Sequence, residues 1–239
     1  MCGIVAYIGK KEAYPIVLKG LKRLEYRGYD SSGIALLKEG EIKLFKKEGK
    51  VANLEDFAAK HDSTGTRGIG HTRWATHGPP NDKNAHPHLS EAGDIAVVHN
   101  GIIENYDVLR QDLESKGYHF NSDTDTEVLC YLIADIKKHT GNKLGKSVRL
   151  ALKHVVGAYA IVVMCKDEPN KLIAARKSSP LVLGIGKEND FYVASDATPI
   201  VEYTKQVVYL NDGDIAILNE EKGLKLYNID EELTDPYVE

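Results

Sequence analysis

Cys2 places a thiol directly behind the initiator methionine. If Met1 is removed, which a small second residue permits, Cys2 carries both a thiol and a free α-amine. The thiolate is a strong nucleophile, and an α-amine with a pKa of about 7.7–8.0 can accept a proton near pH 7. One residue could therefore supply both nucleophile and base. The alternative is that Cys2 is a small buried side chain at the start of a strand.

A loop rich in polar groups begins at Arg73. The planar guanidinium of arginine suits a two-pronged grip on a carboxylate, and Thr76 and His77, just after it, could complete an anion site. Trp74 is the only tryptophan of the chain and stands in a loop with proline and glycine, where it could act as a lid. The alternatives are a solvated surface arginine and a core tryptophan.

Asn100 and Gly101 place a side-chain amide beside a backbone N–H at the predicted end of a strand. Two neutral donors could stabilise the oxyanion of an acyl transfer, where losing one typically costs ~10²–10³ in rate. An ordinary Asn-Gly turn is the alternative. Asp125 stands in the first turn of a predicted helix, where a carboxylate stabilises the helix dipole and could also bind an ammonium group.

Several histidines raise the question of a zinc site. They lack a partner cysteine pair, the HExxH spacing and a supporting carboxylate, so we predict no metal at them. The glycines at 65–70 lack the Lys-Ser/Thr ending of a phosphate-binding loop, and we expect no cofactor. The histidines are His71, His77, His86, His88 and His99.

The composition is ordinary for a globular domain: of 239 residues, 42% are hydrophobic and 28% charged, with a net charge of -4. No basic stripe indicates a nucleic-acid partner, and no apolar run approaches the ~20 residues of a membrane span. The apolar run at residue 2 does not follow a basic segment, so we expect no signal peptide and a cytoplasmic protein. Three distant cysteines predict reduced thiols.

The elements that must position these residues follow from apolar periodicity. The run after Cys2 predicts a strand buried on both faces, and Thr124 with Glu127 fits a helix capping box. Predicted helices cover residues 14–24, 51–60, 105–116, 126–138 and 143–155. Predicted strands cover residues 2–8, 33–37, 41–47, 67–72, 95–99, 158–165, 171–176, 181–186, 190–194, 206–209, 213–218 and 224–227.

Strict alternation of strands and helices is absent, so we do not expect a parallel doubly wound sheet. Strands come in hairpin-spaced runs at both ends of the chain, with helices clustered between them. This order predicts two mainly antiparallel sheets with helices outside.

Five motifs, in one order along residues 2–228, resemble the N-terminal-nucleophile (class II) glutamine amidotransferases. The resemblance implies an α+β fold, the αββα four-layer sandwich of the Ntn hydrolases, and a site that hydrolyses L-glutamine. The motifs are Cys2-Gly3-Ile4, Leu-Glu-Tyr-Arg-Gly-Tyr-Asp-Ser at 24–31, His-Thr-Arg-Trp-Ala-Thr-His-Gly at 71–78, His-Asn-Gly-Ile-Ile-Glu-Asn at 99–105 and Thr-Asp-Thr-Glu at 124–127.

The resemblance also implies a role for each matching residue. Cys2 would be the nucleophile, with its own α-amine as base, and ammonia would leave from a glutamyl thioester. A loop over residues 73–81 would close over the substrate. The implied partners are Arg73, Thr76 and His77 for the α-carboxylate; Asp125 and Gly101 for the α-ammonium; Asn100 and Gly101 for the oxyanion; Trp74 for directing ammonia; and Arg27 and Gly28 for lining the site.

The run at 25–31 is closest to the branch of the family that aminates fructose 6-phosphate. In that branch a C-terminal sugar-phosphate isomerase half follows, and the full enzymes are expected to be homodimers. We therefore expect a glutaminase domain at residues 2–228 and an acidic linker at 229–239 to a missing half. Two alternatives stay open: the glutaminase half of another class II amidotransferase, and an inactive module that binds glutamine.

Overall fold

The structure is a computed structural model that describes residues 2–230 and 233–234. The helices are α1 (Ala13–Leu24), α2 (Val51–Ala58), α3 (Tyr106–Ser115), α4 (Asp125–Thr140) and α5 (Leu144–Lys153). The strands are β1 (Gly3–Ile8), β2 (Ser31–Lys38), β3 (Glu41–Glu48), β4 (Arg67–Arg73), β5 (His88–Leu89), β6 (Ile95–Ile103), β7 (Gly157–Cys165), β8 (Lys171–Lys177), β9 (Val182–Ile185), β10 (Phe191–Ala194), β11 (Val207–Tyr209), β12 (Asp214–Asn219), β13 (Gly223–Asn228) and β14 (Leu233–Thr234).

The strands form two sheets of seven strands each among the described residues, and the paired strands within them run antiparallel. The first sheet has the order β11-β9-β10-β1-β4-β2-β3, and the second has the order β14-β13-β12-β8-β7-β6-β5. Strands β1 and β6 therefore lie inside their sheets rather than at the edges. Cys2 directly precedes β1, and Asn100 and Gly101 lie in the second half of β6.

Alternation along β1 explains how the two sheets pack together. Ile4, Ala6 and Ile8 belong to a core cluster that joins the inner faces of both sheets. The intervening Val5 and Tyr7 pack instead against α1 on the outer face. All six residues of β1 are buried, as the continuous apolar run predicts.

The helices cover the outer faces and complete four layers. In α1, buried residues recur at helical spacing and pack on the first sheet together with α2. Helices α3, α4 and α5 share a separate core cluster with the outer face of the second sheet. The expected αββα sandwich of two antiparallel sheets is confirmed. None of the described helices combines the length and the apolar character needed to cross a membrane.

Two expectations about element boundaries need correction. The strand predicted at 95–99 continues to Ile103, so Asn100 and Gly101 lie within β6 and not at its end or in a turn. They pair with Ala160 and Tyr159 because β7 runs alongside over its whole length. The predicted linker at 229–239 lies largely outside the described residues, and its two described strand residues pair with β13.

Candidate active site

Cys2 lies at the start of β1, where the pairing of Gly3 with Thr72 places it beside the end of β4. Its Sγ accepts a hydrogen bond from the backbone N–H of Trp74 at 3.2 Å and lies 3.5 Å from the Trp74 carbonyl oxygen. Burial raises the pKa of the Cys2 thiol above its ordinary value, although the Trp74 N–H opposes that shift. The thiol therefore holds its proton at neutral pH, and nucleophilic attack requires a base.

The predicted oxyanion donors reach Cys2 from the opposite sheet. The Asn100 side-chain Nδ2 donates to the carbonyl oxygen of Cys2 at 3.2 Å. Gly101 has a φ of +124°, and an added Cβ would lie 2.2 Å from the carbonyl oxygen of Ala158. Only glycine fits this position, because any side chain would be strained and would clash with the neighbouring strand.

Arg73 ends β4, and its guanidinium is buried, with 3% of the residue exposed. It donates to the carbonyl oxygens of His77, Gly78 and Pro79, at 3.1 Å for Gly78 and 3.3 Å for Pro79. The carboxylate of Asp30 lies 3.8 Å away. Arg73 is thus a buried cation around which the following loop wraps, and it lines the Cys2 cleft.

Asp125 is the first residue of α4 and is buried. One carboxylate oxygen accepts from the backbone N–H of Ile103 at 2.9 Å. The ring Nδ1 atoms of His99 and His77 lie 3.9 Å and 4.0 Å from the carboxylate. Because α4 begins here, the helix dipole favours the negative charge, and the carboxylate stays available to a cation in the cleft.

The loop after Arg73 carries the other predicted residues. Thr76 is exposed, and its hydroxyl lies 3.1 Å from His77 Nδ1. Trp74 is 54% exposed and packs over Gly28, where an added Cβ would lie 2.6 Å from the indole ring. Gly28 has a φ of +88°, so both space and backbone conformation require glycine there.

Arg27 is a predicted residue that does not line the Cys2 cleft; Gly28 and Asn100 also stand outside its lining, Gly28 beneath Trp74 and Asn100 against the Cys2 main chain. The Arg27 guanidinium donates to Ser195 Oγ at 3.1 Å and to the Asp196 carboxylate at 3.3 Å. These contacts lie in an adjoining cavity of about 650 Å³. That cavity is larger than the Cys2 cleft, but it does not contain the thiol, the amide donors or Asp125.

The Cys2 cleft has a volume of only about 10 Å³, room for a single water molecule. A substrate the size of an amino acid therefore needs the loop that carries Trp74 and His77 to shift outward. The cleft is lined by Cys2, Arg73, Trp74, Thr76, His77, His86, His99, Gly101, Thr124, Asp125 and Thr126.

Several buried histidines lie beneath the cleft, in the protein interior. The rings of His71 and His86 stack with centroids 4.2 Å apart, and His88 meets His86 edge-on. Burial lowers the pKa of His71 to about 3 and that of His86 and His88 well below the ordinary value, so all three are neutral. Within residues 2–230, no group of three or more His, Cys, Asp or Glu side chains is arranged to hold a metal ion.

Two contributors to the site received no role from the sequence. Asp30 accepts a hydrogen bond from the backbone N–H of Ala75 and so holds the start of the loop near Arg73. His99 Nδ1 lies 2.9 Å from the hydroxyl of Thr126 and helps line the cleft. The usable signal was position, since Asp30 and His99 each stand inside a motif that also carries a predicted site residue.

Comparisons with known proteins agree with this geometry. A family model described as a glutamine amidotransferase domain matches residues 71–202. The chain is 58% identical over 230 residues to a glutamine–fructose-6-phosphate aminotransferase [isomerizing] of Bacteroides thetaiotaomicron, covering 96% of this chain and 37% of the relative. A Chlorobaculum tepidum protein of the same name is 55% identical over 222 residues, covering 91% of this chain and 36% of the relative.

Solved structures show the same architecture. The glutamine phosphoribosylpyrophosphate (PRPP) amidotransferase of B. subtilis superimposes with a TM-score of 0.80 at 28% identity, covering 97% of this chain and 50% of that one. The curated relatives are much longer: this chain spans about 37% of the length of the Bacteroides thetaiotaomicron protein.

Proposed function

The chain belongs to the glutamine amidotransferase domain family, and on that premise we propose that it hydrolyses L-glutamine to L-glutamate and ammonia, with Cys2 as the nucleophile. The observation that carries the proposal is the convergence of a half-buried thiol and two opposite charges around one cleft, with an amide donor from the opposite sheet on the Cys2 carbonyl oxygen. A free amino acid carries one carboxylate and one ammonium, so its site needs a cation and an anion.

The first step is activation of the thiol. Removal of Met1 gives Cys2 a free α-amine, which takes the proton of Sγ and leaves a thiolate. The raised pKa of the Cys2 thiol supports the need for such a base. With Met1 attached, the same fold lacks its base.

The substrate is held by its two charged ends. Arg73 binds the α-carboxylate, with help from Thr76 and His77, and the charge-assisted bonds are worth about 1.5–3 kcal/mol each. Asp125 binds the α-ammonium together with Gly101. The side-chain amide of glutamine then points toward Cys2.

The thiolate attacks the amide carbon, and the carbonyl oxygen becomes an oxyanion. Asn100 Nδ2 and the Gly101 N–H donate to that oxygen, and the 3.2 Å approach of Asn100 Nδ2 to the Cys2 carbonyl oxygen supports the assignment for Asn100. The amide nitrogen takes a proton from the Cys2 α-ammonium and leaves as ammonia. Water then attacks the γ-glutamyl thioester, which releases glutamate and restores the thiol. Trp74, over Gly28, directs the ammonia onward.

In a longer protein we propose that the ammonia passes to fructose 6-phosphate to give glucosamine 6-phosphate. Two relatives of 55–58% identity bear the name of that aminotransferase, whereas the PRPP amidotransferase is only 28% identical. Residues 2–228 would be the glutaminase domain and 229–239 the linker to an isomerase half, in a homodimeric enzyme. The three cysteines are free thiols, which supports a cytoplasmic location.

The decisive experiment is a glutaminase assay on the purified protein and its Cys2→Ala variant. We expect the variant to keep its fold and release no ammonia, because the only group that can form the thioester is gone. Cys165→Ala, which removes a buried thiol at the end of β7, is the matched control and should keep turnover. Near-normal ammonia release by Cys2→Ala would refute the proposal. Intact-mass analysis of active protein should also show that Met1 is absent.

A further inference from the structure

A buried contact between the two sheets lies directly behind the proposed oxyanion donor. His71 Nε2, on β4, is 2.9 Å from Asn100 Oδ1, on β6. Both residues are buried, and His71 is fully inaccessible to solvent. The contact is therefore shielded from water. It joins His71, two positions before Arg73, to Asn100, whose amide approaches Cys2.

The contact matters because the Asn100 amide has two opposite ends. Its Nδ2 end donates to the Cys2 carbonyl oxygen at 3.2 Å, and its Oδ1 end faces His71. Rotating the amide by half a turn would bring Oδ1 against that carbonyl oxygen, two acceptors with no hydrogen between them. The rotated amide would present an acceptor to a developing oxyanion and would oppose the reaction.

A neutral imidazole fits this orientation of the amide. Burial keeps His71 neutral, with its pKa lowered to about 3. A neutral imidazole has one N–H, and an amide oxygen only accepts, so the hydrogen must be on Nε2. Nδ1 has no hydrogen-bond partner among the described residues, as expected for the nitrogen without hydrogen. The stacked ring of His86, inclined by 19°, holds the plane of the imidazole.

We propose that His71 is the positioning residue of the oxyanion site: its Nε2–H holds Asn100 Oδ1, so that Nδ2 faces the reacting carbonyl. The inference rests on the proposed function, because it presumes that Asn100 stabilises the oxyanion. His71 touches no substrate atom in this scheme. It removes the rotational freedom of an amide whose wrong orientation is inactive.

Two substitutions separate this role from simple packing. His71→Phe keeps a ring that can stack on His86 but removes the N–H. His71→Gln gives up the stacking ring but keeps an N–H that can reach Oδ1. A packing role therefore predicts that the Phe variant is the better enzyme, whereas a positioning role predicts that the Gln variant is.

The readouts are the kcat and KM for glutamine hydrolysis and the affinities for two ligands. Glutamate γ-semialdehyde adds the Cys2 thiol to give a tetrahedral adduct that carries the oxyanion, whereas L-glutamate binds without one. For His71→Phe we expect kcat to fall about 10–100-fold, short of the ~10²–10³ for complete loss of a donor, with KM changed less than about threefold. Semialdehyde affinity should fall with kcat, and glutamate affinity should hold. His71→Gln should retain most of the wild-type kcat and most of the wild-type affinity for the semialdehyde.

Asn100→Ala distinguishes the possible failures. If it keeps full turnover, the oxyanion assignment fails and the inference fails with it. If it loses turnover while His71→Phe does not, only the role of His71 is refuted. Equal losses of glutamate and semialdehyde affinity would also refute it, since they indicate a collapsed site. Should His71→Phe not fold, His71→Asn replaces it, because its shorter amide cannot reach Oδ1 and must show the same loss.

Discussion

At the scale of single residues, opposite charges are buried close to a thiol, and this pairing favours a free amino acid as ligand. Arg73 is 3% exposed and Asp125 is 3% exposed, so both charges are largely shielded from water. Burying a charge is costly unless it is paired or hydrogen-bonded. Loop carbonyls satisfy Arg73 and a backbone N–H satisfies Asp125, which holds both charges in place beside the cleft.

Arg73→Ala should raise the KM for glutamine about 10–100-fold, because a charge-assisted hydrogen bond to the carboxylate is worth roughly 1.5–3 kcal/mol. The sharper measurement compares glutamine with glutamine α-amide, whose carboxylate is neutralised. The wild-type protein should discriminate strongly between the two, and the variant should not. Lys10→Ala, which breaks an exposed pair with Glu188, is the control and should leave KM unchanged. Retained discrimination in Arg73→Ala would remove Arg73 from the site.

At the scale of elements, the N-terminus of α4 positions the anionic side of the cleft. Thr124 is the N-cap, and its hydroxyl accepts from the backbone N–H of Glu127, as the capping box predicts. The Glu127 carboxylate, however, accepts from the N–H groups of Asn121 and Ser122 rather than from Thr124. The capping residues therefore fix the preceding loop as well as the helix, and Asp125 is held between them.

Thr124→Ala should lower the free energy of unfolding by about 1–2 kcal/mol, at the upper part of the range for N-cap loss. The reason is that the Thr124 hydroxyl also lies 2.9 Å from His88 Nε2 in the buried interior. Urea unfolding with a common m-value measures the effect. Thr140→Ala, at the exposed C-terminal end of the same helix, should change stability by less than about 0.5 kcal/mol. Equal effects at both ends would contradict the capping argument.

At the scale of the whole molecule, the site exists because two sheets pack face to face. Cys2 and Asn100 are 98 positions apart and come from different sheets. Packing of the sheets and of α4 buries four histidines, each with its pKa lowered by burial. They are His71, His86, His88 and His99. His88 and His99 lie against Thr124 and Thr126 at the start of α4.

These histidines predict a loss of stability in mild acid. Unfolded histidines bind protons near a pKa of about 6.5, whereas His71 in the fold does so only near about 3. Between these values the unfolded state binds more protons than the folded state. The free energy of unfolding is therefore highest above pH ~6.5 and decreases as the pH is lowered. Each such histidine contributes up to about 1.4 kcal/mol per pH unit.

Urea midpoints at pH 7.5, 6.0 and 5.0 measure this slope. His88→Gln should reduce the slope of the free energy of unfolding against pH by the equivalent of about one bound proton. His119→Gln, at an exposed position, should leave that slope unchanged. A stability that stays constant from pH 7.5 to 5.0 would contradict the burial of neutral histidines.

The sequence by itself determined much about the chain, because the relevant signals are local. Apolar alternation and helical spacing predicted most elements, and the order of five motifs predicted the fold and the chemistry of Cys2. Arg73 and Asp125 were singled out as candidates by charge type and by their places at a strand end and a helix start. Such features depend on neighbours within a few residues, which a single sequence displays directly.

Only the tertiary structure decided which groups meet. It carried β6 past Asn100 because β7 pairs with it, turned Arg27 toward Ser195 and Asp196, and set His71 against Asn100. These outcomes depend on sheet order, register and the facing of two layers. Contacts between residues tens of positions apart leave no local pattern in one sequence, so the orientation of the Asn100 amide could be determined only from the packed fold.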